Sequence, residues 1–153
     1  MRTLVAAVGV ALVLTGLASA TSQADTYKLT ATMKARAEVP RPTGVPAAAN
    51  GHFTGKAVEL ANDSARLTWN LTFSSLSGKA LAAHIHMGKA GKAGNVIVPL
   101  CGPCRNGQRG KATITHAQLR AIELGRTYVN VHTAKNPLGE IRGQLRAAAL
   151  TIS

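Results

Sequence analysis

The chain has 153 residues, 46% of them apolar and only 3% aromatic, with 18 Lys and Arg against 6 Asp and Glu for a formal net charge of +12. Such a length gives one hydrophobic core rather than two domains. So few carboxylates leave no pair placed for acid–base catalysis, and so few aromatics argue against a nucleic-acid stacking platform.

The N-terminus reads as a secretory address. Arg2 supplies a positive start, and Leu4 to Leu17 form an apolar run broken only by Gly9, Thr15 and Gly16. Ala18-Ser19-Ala20 and Ser22-Gln23-Ala24 are small-residue cleavage signals. The pattern predicts a signal peptide over residues 1–24, cut after Ala20 or Ala24, and a single exported domain over 25–153. The destination is periplasmic or secreted. No second apolar run follows, so no transmembrane segment is expected after cleavage. The strongly basic remainder suits an anionic envelope or glycan surface rather than nucleic acid, the plainer reading being a solvated basic face.

The elements then follow in chain order. Tyr27–Met33 alternates apolar and polar residues, as a half-buried strand does. A Pro- and Gly-rich connection runs from Pro40 to Gly51. Strands are predicted at His52–Leu60, Arg66–Phe73, Leu81–Met87, Val96–Leu100, Gly110–Ile114, Tyr128–Thr133 and Glu140–Leu145. In the second of these, Leu67, Trp69, Leu71 and Phe73 point inward. One short helix is expected near 116–124. Thr115 and Gln118 form a capping box for it, and Gly125 suits its left-handed stop. Asn136-Pro137-Leu138-Gly139 turns the last two strands into a hairpin. The fold class is all-β: an antiparallel, Greek-key-like sandwich or barrel with one short helix.

Chemistry concentrates on histidine. Side chains in a strand alternate faces, so His84 and His86 share one face, and His132 shares a face with Tyr128 and Asn130. If the two strands are neighbours, His84, His86 and His132 form a transition-metal site, with ring nitrogens converging within about 4–5 Å. Neutral imidazole suits copper ahead of zinc, and calcium or magnesium should not bind. Binding should fade below the ordinary imidazole pKa of about 6.5. Packing histidines with no metal are the competing reading. His52 and His116 have no partners at ligand spacing and read as surface residues.

Cys101-Gly102-Pro103-Cys104 copies a redox string, but loop-like residues follow it instead of a helix. A disulfide is the first reading in an oxidising compartment, thiol redox chemistry the second, and thiolate ligation of copper the third. Gly88, Gly91 and Gly94 with Lys89 and Lys92 read as a tight basic turn, since no helix follows to cradle a phosphate. Glu38, Glu140 and Arg142 are candidates for an ionic network.

Several motifs together resemble one family. Glu38-Val39-Pro40, Ala83-His84-Ile85-His86-Met87-Gly88, Tyr128-Val129-Asn130-Val131-His132-Thr133 and Gly139-Glu140-Ile141-Arg142-Gly143-Gln144 are similar to the signatures of the chordin-type (CHRD) domain. Arg41 stands where that family often has a second proline. The resemblance implies a secreted β-sandwich module and brings no enzymatic activity with it. The histidine strand also resembles, locally, the copper centre of Cu/Zn superoxide dismutase. The sequence thus predicts a non-enzymatic exported protein that binds copper for storage, delivery or protection. A basic interaction module is the alternative, and a thiol redox protein the third.

Overall fold

The computed structural model describes residues 24–150, so the signal peptide expected over residues 1–24 lies, but for its last residue, outside the described residues. Nine antiparallel strands and one helix make up the domain. They are β1 (Thr26–Lys34), β2 (Asn50–Leu60), β3 (Ser64–Ser74), β4 (Ala80–Met87), β5 (Val96–Cys101), β6 (Gln108–Thr115), α1 (His116–Glu123), β7 (Thr127–Thr133), β8 (Ile141–Gln144) and β9 (Arg146–Ala149). A single 3-10 turn, Ala35–Ala37, follows β1.

The strands run side by side in the order β5-β4-β7-β8-β1-β2-β3-β6, with β9 also pairing β1, and the sheet curls nearly shut into a barrel. Its interior holds Leu29, Met33, Phe53, Leu67, Leu71, Ile85, Ile114, Val129, Val131, Ile141 and Leu145, all essentially buried. With aromatics so scarce, one large residue fills space that small ones leave. Trp69 lies across from Gly55 on one side and Gly110 on the other. A Cβ on Gly110 would strike the indole, so the ring needs that glycine to lie flat on the sheet.

At the seam, α1 spans from β6 towards β5. Thr115 Oγ1 accepts from Gln118 N at 3.1 Å, and Thr115 N donates to Gln118 Oε1 at 2.8 Å, which is the capping box read from the sequence. Gln118 Nε2 also donates to Ile97 O of β5 at 2.9 Å. Leu119 and Ile122 plug the core beneath, and Gly125 takes φ +64° just beyond the helix.

The last expected strand is interrupted. Glu140 precedes β8, and the chain leaves β7 after Leu145 to continue as β9 along the edge of β1. Leu145 is fully buried, and its N–H makes the last bond of the β7–β8 register, to Thr127 O at 3.0 Å. Arg146-Ala147-Ala148-Ala149 has low strand propensity, which is why the sequence conceals β9.

β4, β7 and β8 position the site. Ala83 and Ile85 pair with Val131 and Val129 and face the core. Their neighbours His84, His86, Tyr128, Asn130, His132, Arg142 and Gln144 face outward by alternation. That outer face is not bare: Tyr128, Asn130 and Arg142 are nearly inaccessible. Glu38 and the 88–95 loop lie over it, touching Asn130, Arg142 and Gln144.

Candidate metal centre

The β4–β7 register sets the histidines together. His84 sits opposite Asn130, His86 opposite Tyr128, and His132 opposite Ala82, one diagonal step from His84. The condition the sequence left open, adjacency of the two strands, is met. One nitrogen from each of His84, His86 and His132 lies within 4.8 Å of the others. Two ligands about 2.1 Å from one ion can stand no more than about 4.2 Å apart. The three nitrogens thus stand within about an ångström of a spacing that a single ion would span.

Hydrogen bonds fix which nitrogens are free. His86 Nδ1 lies 2.9 Å from Gly94 O, and His132 Nδ1 lies 3.0 Å from Pro137 O. A carbonyl only accepts, so both Nδ1 atoms carry the proton and both Nε2 atoms present a lone pair. His132 Nε2 faces His84 Nδ1 at 3.1 Å. His84 Nδ1–H donates across that gap; with the proton on His84 Nε2 instead, the lone pairs of His84 Nδ1 and His132 Nε2 would both be available to a metal. His86 Nε2 is buried and has no hydrogen-bond partner. Asn130 Oδ1 is likewise buried and outside hydrogen-bond geometry, although the Asn130 side chain acts on His86, raising its pKa against burial, while Asn130 Nδ2 donates to Glu38 Oε1 at 3.1 Å.

The electrostatics suit ligation. Burial lowers the pKa of all three imidazoles. His84 falls furthest, to about 4, with the charges of His132 and His86 adding to the effect of burial. All three rings are therefore neutral at pH 7, the form that binds metal. His84 and His132 are only half-buried, which leaves an approach from solvent, whereas His86 is 8% exposed. Behind it, His86 stacks on Tyr128 at 4.9 Å between centroids, and Arg142 Cζ sits 3.4 Å over the same tyrosine ring from the β8 side.

The other candidates lie elsewhere. His116 is exposed and 3.6 Å from Glu59, and His52 is exposed on β2. Cys101 and Cys104 have their sulfurs at bonding distance, on the end of β5 and the turn after it. The next helix begins only at His116, so no helix N-terminus activates either sulfur. As the three donors gathered above are all histidines, no cysteine belongs to that group.

Of Glu38, Glu140 and Arg142, the charges of Glu38 and Arg142 act on each other: against burial, Arg142 pulls the Glu38 pKa down and Glu38 pulls the Arg142 pKa up. No ion pair joins any two of them within 4.0 Å among the described residues. Glu140 instead accepts from Ser77, Thr133 and Asn136 and ties down the β7–β8 turn. Burial alone would raise its pKa; those hydrogen bonds outweigh burial and hold it below the ordinary value. Arg142 spends Nη2 on Lys89 O, Lys92 O and Gln144 Oε1. The basic turn after β4 is thus clamped down through its carbonyls. Sequence reasoning did not reach the carbonyls of Gly94 and Pro137, because backbone atoms carry no sequence signal. The alternation that placed Asn130 beside His132 was the available sign of that residue.

Neither a curated protein nor a solved structure matches the chain. A family model does: that of the CHRD domain, over residues 29–145, a span that starts within β1, runs through β8 and includes all three histidines. CHRD domains are typically extracellular, and among the described residues no helix is long and apolar enough to cross a membrane. With most of its length inside that match, the chain belongs to the CHRD domain family.

Proposed function

We propose that this domain binds one transition-metal ion, copper ahead of zinc, through His84, His86 and His132, and that it does so outside the cytoplasm in storage, delivery or protection rather than catalysis. The observation that carries the reading is the gathering of three neutral imidazoles with one nitrogen of each within 4.8 Å of the others, among them His86, whose Nε2 is buried and outside hydrogen-bond geometry. A buried acceptor left unpaired costs stability, and a cation removes that cost. Three neutral nitrogens and no carboxylate among the donors favour copper in the usual order of affinities and disfavour calcium and magnesium.

The test is thermal denaturation of the mature domain with and without stoichiometric copper. A ligand bound only by the folded state raises the melting temperature. Copper raises it in the native chain, His84→Ala or His132→Ala abolishes the rise, and His116→Ala keeps it. An unchanged melting temperature, with no copper retained after dialysis, rejects the reading and leaves the basic interaction module.

A further inference from the structure

Beside the histidines, on the same outer face, a cavity of about 390 Å³ opens between the segment after β1 and the loop after β4. Its polar lining is Arg36, Glu38, Arg41, Arg142 and Gln144. Three guanidiniums against one carboxylate give it a net charge of +2 at most pH values. The hydrogen bonds show which of these groups are already spent. Glu38 accepts from Asn130 Nδ2 at 3.1 Å and from Val39 N at 3.3 Å. Burial raises its pKa against the opposing pull of Asn130, Val39 and the Arg142 charge. Gln144 donates to Gly88 O, Gly125 O and Thr127 O and accepts from Arg142.

What remains is cationic. Arg142 is 1% exposed, yet its Nη1 has no hydrogen-bond partner. Arg36 and Arg41 are exposed at the rim, and neither makes an ion pair among the described residues. A buried guanidinium N–H without an acceptor is a rare and costly state, and it marks a place where an acceptor belongs. A guanidinium fork matches the paired oxygens of a carboxylate or phosphate. The volume lies at the low end of the range for small-molecule pockets, about 300–1,000 Å³.

The geometry points to a second ligand site here, one that takes a monosaccharide-sized organic anion through a carboxylate or phosphate held by Arg142, Arg36 and Arg41. The site uses none of the three histidines and needs no metal. The same oxyanion could arrive on a free small molecule or as the end residue of an anionic glycan.

Isothermal titration of the metal-free protein in chelator-containing buffer tests it, with glucuronate and glucose 6-phosphate as probes and glucose as the neutral control. The expected result is saturable one-to-one binding of at least one anion and none of glucose. Arg36→Ala with Arg41→Ala should weaken that binding about tenfold or more, and His84→Ala should leave it unchanged. Arg142→Gln should abolish it; should that variant fail to fold, the double variant at the exposed rim still decides. An oligosaccharide ending in glucuronate that binds more tightly than free glucuronate assigns the source to a glycan end, and equal affinity assigns it to the free anion. Absence of saturable binding by both anions, or binding undiminished in the double variant, overturns the site.

Discussion

A single proton count on three rings decides what the histidine cluster can do. His86 and His132 each commit Nδ1–H to a carbonyl, so each keeps Nε2 free. Burial, and then the neighbouring histidines, lowers the pKa of His84 to about 4. Acid should therefore displace copper later than the ordinary imidazole value of about 6.5 implies. Copper retained after dialysis is expected to persist below pH 6.5 and to be lost as pH falls towards about 4; loss centred at 6.5 would show the rings to be ordinary surface histidines. The metal-free protein follows the same sign. Its folded histidines resist protons that the unfolded chain accepts from pH 6.5 downwards, so stability is full above that pH and declines as pH falls through the window below it. Urea midpoints across a pH series check this, and His84→Gln should flatten the decline. At this scale the sequence showed the i, i+2 spacing of His84 and His86 and the shared face of Asn130 and His132. It did not show the tautomers, which depend on the carbonyls of Gly94 and Pro137.

Among the elements, the turn between β7 and β8 bears most directly on the site. Gly139 has φ +133°, and a Cβ there would run into the Glu38 carboxyl and the Asn130 amide. Gly139→Ala is expected to lower stability by about 1–3 kcal/mol, through backbone strain together with displaced polar groups. It should also weaken copper binding, because Asn130 sits directly opposite His84; denaturant midpoints and copper titration read the two effects. The helix provides the contrast. Thr115→Ala removes one half of the capping box and should cost about 1 kcal/mol, with copper affinity unchanged since α1 supplies no residue to the centre. Strands such as β3, with Ala65, Leu67, Trp69 and Leu71 buried and the residues between them more exposed, were legible because one face meets water. β7 was legible as a strand with Tyr128, Asn130 and His132 on one face, but not the covering of that face, which leaves six of its seven residues buried. β9 escaped because three alanines carry little pattern of either kind.

For the molecule as a whole, a nearly closed barrel buries its apolar residues inside and carries a second, polar layer on one outer face. That layer holds the three histidines, the Tyr128–Arg142 stack and the cationic cavity. The all-β class and the family were readable from alternation and paired signatures, which now match the CHRD domain over 29–145. The covered outer face was not, because it depends on distant segments: Glu38 lies 92 residues from its partner and the loop after β4 lies 50 and 53 residues from Arg142. The central claim is a three-imidazole copper centre. Electron paramagnetic resonance of the dialysed protein loaded with one equivalent of cupric ion tests it most directly. The expected spectrum is that of a single bound species with nitrogen hyperfine structure from His84, His86 and His132, lost in His132→Ala. Copper that washes out, or a spectrum unchanged by removing His84 or His132, would contradict it.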